Sequence, residues 1–204
     1  MKIKIYIFIV VTALFSVPAL FSQTDQKPVR RVSKQTLMSD ISPAVKIRFD
    51  KKFKAAGSQD FVLYDRADAE QFFFVEAENK KIKRMYMVQF EGLHSDAKGS
   101  YEYDEPQSVV IGGERYFSNA EFVPDGSLAL KAVPDSDIAR AAKFLSEQGF
   151  VLMKSLRYQR FVKTVGTDKR NEIIILYIEE SSSAETDPRQ TLSDIAVKSF
   201  KIIK

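Results

Sequence analysis

Five polar or aromatic side chains fall in two predicted strands of the C-terminal third, where a sheet normally holds β-branched or aromatic residues. They are Arg157, Tyr158 and Arg160 on the first strand, and Tyr177 and Glu179 on the second. Charges that are half buried need partners. One hypothesis is that this hairpin lines a polar pocket for an anionic or amphipathic ligand, between the sheet and a helix. The interpretation that we favour is that the arginines form cross-strand ion pairs with Glu172 or Glu179 and extend to water, because such pairs are common in antiparallel sheets.

The chain has a single histidine, His94, and this argues against two common kinds of active site. A Ser-His-Asp triad would have to use it, but its sequence neighbours Ser95 and Asp96 are no evidence for a triad, because triads assemble in space. A zinc site needs three or four ligands, and the chain has no cysteine to add to this histidine. The sequence also has no glycine-rich nucleotide-binding loop. We predict no catalytic residue, no metal and no cofactor.

Grouped carboxylates are the remaining route to catalysis. They occur as Asp65 with Asp68 and Glu70, Asp104 with Glu105, and Glu179 with Glu180. None has the alternating spacing of a calcium-binding EF-hand loop. A hydrolytic pair depends on a separation in space that sequence does not supply. Two hypotheses remain: a non-catalytic protein that binds a small amphipathic ligand or another envelope protein, or a carboxylate-dependent hydrolase.

Residues 1–22 have the order of a cleaved export signal. Lys2 and Lys4 precede an apolar run over residues 5–21, and the small residue Ser22 comes before a polar stretch. An uncleaved anchor is the rival interpretation, because the run is at the lower edge of the length that spans a bilayer. We predict cleavage after Ser22 and a secreted or periplasmic protein.

The composition excludes further classes of protein. Without cysteine the chain can form no disulfide, no thiolate metal site and no lipid-modified N-terminal cysteine. After residue 22 it keeps 29 of its 31 Lys and Arg against 27 Asp and Glu, a net charge of about +2. That charge gives no electrostatic case for nucleic acid as a partner. No stretch beyond residue 22 is apolar for long enough to span a membrane.

Hydrophobic spacing and turn residues predict the elements that would position these side chains. We expect a flexible lead-in over residues 23–38 and one domain over residues 39–204. Helices are predicted over residues 39–56 and 135–148 and from about residue 191. Strands are predicted over residues 61–64, 71–78, 83–91, 100–103, 108–111, 115–117, 128–133, 150–164 and 172–179.

Two apolar runs indicate how the sheet is covered. Phe72–Phe74 places aromatic rings on both faces of its strand, so we expect that strand to be covered on both sides. Ile173–Ile178 is apolar on both faces, which is typical of a central strand. Runs of strands with helices near the start, late middle and end predict an α+β fold, in which an antiparallel sheet has helices packed on one face.

Overall fold

Two antiparallel sheets account for most of the structure. The computed structural model describes residues 29–103, 107–181 and 188–203, so the predicted signal over residues 1–22 lies outside the described residues. Strand makes up 53% of the described residues and helix 15%. The prediction of an α+β fold with helices packed on one face of a single sheet is therefore wrong. The chain is mostly β, with a four-stranded and a seven-stranded sheet.

The smaller sheet has the strand order β1-β2-β3-β11, and the larger has the order β4-β5-β6-β10-β9-β8-β7. The strands of the smaller sheet are β1 (Arg30–Ser33), β2 (Thr36–Ser39), β3 (Val45–Phe49) and β11 (Phe200–Ile202). Those of the larger are β4 (Lys54–Leu63), β5 (Ala67–Glu78), β6 (Lys81–Leu93), β7 (Ser108–Ile111), β8 (Glu114–Val123), β9 (Leu156–Val165) and β10 (Asn171–Glu180). The helices are α1 (Gly126–Ala132), α2 (Asp137–Glu147) and α3 (Pro188–Lys198). In the described part of the chain, none of these helices is long and apolar enough to cross a membrane.

The two sheets face each other across an aromatic core. Phe49 on β3 has its ring centroid 4.2 Å from that of Phe74 on β5 and 4.8 Å from that of Tyr86 on β6. All three side chains are buried, as are Leu192 and Ala196 on α3 in the same cluster. Burial of large aromatic side chains dominates the energetics of such a core, so the sheet-to-sheet contact stabilises the fold.

A second core lies on the opposite face of the larger sheet, under α2. Ala141 and Leu145 of this helix are buried there with Phe73, Met87 and Leu176. Because neighbouring residues of a strand point to opposite faces, Phe73 lies in this core while Phe72 and Phe74 lie in the other. The prediction that this strand is covered on both sides is confirmed, and so is the central position of β10.

The helix predicted over residues 39–56 is wrong. Val45, Phe49 and Phe53 have helical spacing, but Ile47 lies between the first two and completes a period of two, which is the period of a strand. The segment forms the end of β2, all of β3 and the start of β4. Strand structure also begins at Arg30, earlier than the domain start predicted at residue 39.

The strand predicted over residues 128–133 is also wrong, because α1 occupies this stretch. The Asp125 carboxylate accepts hydrogen bonds from the backbone N–H groups of Ser127 at 2.9 Å and Leu128 at 3.1 Å. This cap satisfies N–H groups that a helix start leaves without partners. The helix predicted over residues 135–148 is confirmed as α2, with Ser136 as its cap. Residues 100–103, predicted as a strand, have no regular secondary structure.

The bulge in β4 provides the first testable prediction. The register of β4 against β5 shifts between Ala55 and Gly57, and Gly57 has φ +122°. A Cβ atom there would lie 2.8 Å from Cζ of Phe144 on α2. We expect Gly57→Ala to lower the free energy of unfolding in urea by about 1–3 kcal/mol beyond the backbone strain, as overpacking does.

Gly99→Ala is the matched control, because Gly99 also has a positive φ but a Cβ there would meet nothing within 4 Å. It should lose only the strain of the left-handed backbone, about 1–2 kcal/mol. Equal losses in the two variants would contradict a role for the close approach to Phe144.

Candidate functional site

A pocket of about 410 Å³ opens beside the N-terminal end of α2, on the helix-covered face of the larger sheet. Its lining combines acids, arginines, tyrosines and apolar side chains. These are Glu91, Glu102, Asp137 and Glu172; Arg66 and Arg160; Tyr64, Tyr101 and Tyr103; and Leu63, Ala67, Leu93 and Ile174, with Ser100. In the described part of the chain, no group of three or more His, Asp or Glu side chains is arranged to hold a metal ion.

Two buried glutamates face each other in the wall of this pocket. Glu91 on β6 and Glu172 on β10 are direct cross-strand partners in the register of the two strands. Glu91 is 7% exposed and Glu172 is 1% exposed. Cβ atoms of such partners lie about 4.5–5.5 Å apart. Two carboxyl groups held this close in a dry site cannot both be ionised without a large electrostatic penalty.

A ladder of glutamine side chains leads across three strands to Glu91. Gln59 donates to Gln71 at 2.6 Å, and Gln71 donates to Gln89 at 2.5 Å. Gln89 in turn donates to Oε1 of Glu91, and also to Oδ2 of Asp137 at 3.2 Å. Because every amide group in the ladder has a partner, these buried polar groups remain compatible with the core, and they hold Glu91 in one orientation.

Two tyrosines cover the glutamates from the segment that follows β6. The Tyr101 hydroxyl donates to Oε2 of Glu91 at 3.0 Å, and the Tyr103 hydroxyl donates to Oε2 of Glu172 at 2.5 Å. The backbone N–H of Tyr101 donates to the carbonyl oxygen of Lys169 at 2.9 Å. The loop between β9 and β10 therefore holds this segment over the pocket, where each phenol group covers one carboxylate oxygen of a glutamate.

The environment of the pair favours its protonated form. The pKa of Glu172 is raised from 4.5 to about 8, mainly by burial and also by the charge of Glu91, while the hydrogen bond from Tyr103 and the charge of Arg160 lower it. Burial also raises the pKa of Glu91, although hydrogen bonds from Gln89 and Tyr101 oppose the shift. At neutral pH the pair therefore retains a proton that an exposed glutamate would have released.

Arg160 is the one residue of the predicted site that lines this pocket. Its Nε donates to Oδ1 of Asn119 at 2.9 Å, and its guanidinium lies 5.5 Å from the ring centroid of Tyr103. Tyr158 is on the same face of β9 but packs, half buried, against the core under α2. The sheet thus places Arg160 in the lining of the same pocket as Glu172 and leaves Tyr158 in the core.

The other three predicted residues form a separate cluster on the opposite face of the larger sheet. Arg157 on β9 and Glu179 on β10 are cross-strand partners, with Arg157 Nε 2.7 Å from Glu179 Oε1. The Tyr177 hydroxyl donates to Oε2 of the same glutamate at 2.5 Å. The cross-strand ion pair considered in the sequence analysis is therefore present for Arg157. Ligand binding by these residues stays a prediction.

Sequence reasoning missed most of this pocket. The sequence predicts Glu172 only as an ion-pair partner of an arginine, and the predicted site does not include Glu91, Tyr101 or Tyr103. The sequence pattern that could have identified the pocket lies in β6, where Gln89 and Glu91 are on the same face of the strand as Met85 and Met87. Polar residues at inward-facing positions of a buried strand need partners, and such positions are enriched at functional sites.

This chain matches no protein-family model, no curated protein and no solved structure. The functional argument therefore depends on the chemistry of the pocket.

Proposed function

We propose that the protein is an exported binding protein whose pocket holds a small amphipathic ligand with a protonated amine. The observation that carries this proposal is the pair of facing, buried carboxyl groups of Glu91 and Glu172. A ligand ammonium group beside the pair would take the place of the proton that the pair retains at neutral pH. Charged hydrogen bonds to carboxylate oxygens are stronger than neutral ones. Replacing the proton by the ammonium group would therefore favour binding.

The charges around the pocket support a cationic ligand. Four acids and two arginines line it. Of these, Glu102 is paired with Lys169 at 2.8 Å, and Arg160 is engaged by Asn119 and the Tyr103 ring. The buried glutamates have no lysine or arginine within salt-bridge distance in the described structure. Burial is the main cause of their raised pKa values, and an ammonium group beside them would supply a positive charge that stabilises the ionised carboxylates.

The walls of the pocket support an apolar or aromatic ligand body. Leu93 and Ile174 provide apolar surface, and Tyr64, Tyr101 and Tyr103 provide aromatic rings. Aromatic faces attract cations as well as apolar groups. A volume of about 410 Å³ falls in the range of small-molecule sites. The expected ligand is thus about the size of an arylalkylamine.

Tyramine and its neutral N-acetyl derivative are the probes that test this proposal. We expect isothermal titration calorimetry to show binding of tyramine and none of N-acetyltyramine. Because each binding event releases one proton, the affinity should rise by about tenfold per pH unit as the pH approaches 8. Glu172→Gln should weaken binding and remove this dependence on pH.

Glu180→Gln is the matched control, because Glu180 is on the same strand but pairs with Lys81 at 2.9 Å and Lys83 at 3.3 Å, outside the pocket. It should bind tyramine as the unaltered protein does. Equal affinity for the amine and for its acetylated form would refute a cationic ligand.

A carboxylate-dependent hydrolase is the second candidate, and the same pair favours it. A carboxyl group with a pKa near 8 is protonated at neutral pH and can act as a general acid. Glu172 is 1% exposed and Tyr103 covers its Oε2, so a scissile bond, like the ammonium group of the first candidate, would have to displace the phenol. Hydrolysis of p-nitrophenyl glycosides by the unaltered protein, lost in Glu172→Gln, would establish the hydrolase instead.

A further inference from the structure

The outer face of the four-stranded sheet carries a cluster of cations. The alternation along β3 places Ile47 and Phe49 in the core and leaves Lys46 and Arg48 exposed on the other side. On β11, Lys201 is exposed next to Arg48. This cationic face, defined by Lys46, Arg48 and Lys201, points away from the rest of the molecule.

The cations of this face are not neutralised by acids. Arg48 and Lys201 are direct cross-strand partners, an arrangement of like charges that destabilises a sheet. Among the described residues, no ion pair or side-chain hydrogen bond joins Lys46, Arg48 or Lys201 to an acid. Strand lysines of the larger sheet behave differently. Lys83 pairs with Glu180 at 3.3 Å, and Lys163 pairs with Glu114 at 3.0 Å.

A shallow groove extends the cationic face towards α3. Lys198 lines this groove of about 180 Å³ together with Arg48 and Lys201. The acid in its lining is Asp50, whose Oδ1 already accepts a hydrogen bond from the backbone N–H of Lys52 at 3.0 Å. Positive charge therefore dominates this side of the protein, which calls for an anionic partner.

We infer that the cationic face docks on an anionic lipid bilayer. The match of charge is the argument for this partner. Lys46, Arg48 and Lys201 are exposed side by side on one flat sheet face, and Lys198 lies at its edge. An anionic bilayer presents the opposite charge over an extended surface, so it can contact all four cations at once.

Vesicle co-sedimentation tests the inference, with the protein recovered at whatever N-terminus its processing leaves. The probes are vesicles of phosphatidylcholine alone and vesicles that also contain phosphatidylglycerol. An apolar N-terminal segment would bind both kinds, so the measured quantity is the ratio of the two partition coefficients. Each cation near an anionic surface contributes about 1 kcal/mol, or roughly fivefold in binding. The combined variant Lys46→Gln, Arg48→Gln and Lys201→Gln should therefore lower the ratio by roughly 100-fold.

The matched control removes the same charge elsewhere, as Lys83→Gln, Lys143→Gln and Lys163→Gln. It should keep most of the preference for anionic vesicles. Equal partition of the unaltered protein into both kinds of vesicle would overturn the inference. So would an equal loss in the two variants, or binding to heparin without binding to anionic vesicles, which would indicate a soluble polyanion as the partner.

Discussion

Glu172→Gln is expected to stabilise the protein at pH 8 and to flatten the dependence of its stability on pH. The pKa of Glu172 is raised to about 8 in the folded protein, above its ordinary value of 4.5. Between these two values the folded state holds a proton that the unfolded chain has released. The free energy of unfolding of the unaltered protein therefore falls as the pH rises through this window, by up to about 1.4 kcal/mol per pH unit from this group.

A glutamine side chain at position 172 has no titratable proton but has nearly the same shape as glutamate. Its amide oxygen can still accept the hydrogen bond that the Tyr103 hydroxyl donates to Oε2 of Glu172. At pH 5 the variant and the unaltered protein should have similar free energies of unfolding. At pH 8 the variant should be more stable by up to about 4 kcal/mol, because folding of the unaltered protein must take up a proton at this pH and folding of the variant need not.

Urea denaturation at pH 5, 6, 7 and 8 measures this difference, with Glu102→Gln as the control. Glu102 is exposed on the rim of the pocket, and its hydrogen bond with Lys169 lowers its pKa, so its replacement should not stabilise the protein at pH 8. If the free energies of unfolding of Glu172→Gln and of the unaltered protein changed in parallel over this range, the raised pKa of Glu172 would be ruled out.

Arg157→Ala should be strongly destabilising while it leaves the pocket able to bind tyramine. The side chains of Arg157 and Glu179 are 9% and 12% exposed, and two short contacts join them, at 2.7 Å and 2.5 Å. Removing the arginine leaves a nearly buried carboxylate without its main counter-charge. Breaking a buried ion pair in this way typically lowers the free energy of unfolding by about 3–5 kcal/mol.

The double variant Arg157→Met with Glu179→Leu separates the value of the pair from the penalty of breaking it. Because both charges are removed, it should lose much less stability than Arg157→Ala alone.

Arg160→Ala should have the opposite effects to those of Arg157→Ala on stability and on binding, since Arg160 lines the pocket and contacts Asn119 and Tyr103. It should change tyramine affinity more than stability. Loss of tyramine binding in a folded Arg157→Ala variant would contradict the separation of the two clusters by the sheet.

Elements with local signals were predicted from the sequence. The hairpin between β5 and β6 follows from alternating apolar residues on both sides of Asn79 and Lys80, which adopt the positive φ values of a tight turn. Helix α2 follows from its Ser136 cap and its apolar stripe, including Ala141 and Leu145. These patterns act within a few residues, so the elements that they predict do not depend on distant segments of the chain.

Elements that depend on distant segments were missed. Val45, Phe49 and Phe53 fit a helix as well as a strand, and the strand is realised because β3 pairs with β2 on one side and β11 on the other. The three residues of β11 carry no recognisable strand signal, and they reach this sheet from the far end of the chain. The assembly of two facing sheets was therefore not predictable from local periodicity.

The same division holds for the candidate site. By itself the sequence determined which positions of β6 and β10 alternate between the two faces of the sheet, and it placed Arg160 opposite to Arg157 on β9. Only the tertiary structure decided that β6 and β10 are neighbours, in the register that sets Glu91 against Glu172. Strand pairing between segments this far apart is selected by the burial of whole faces in a common core, and no short stretch of sequence contains that information.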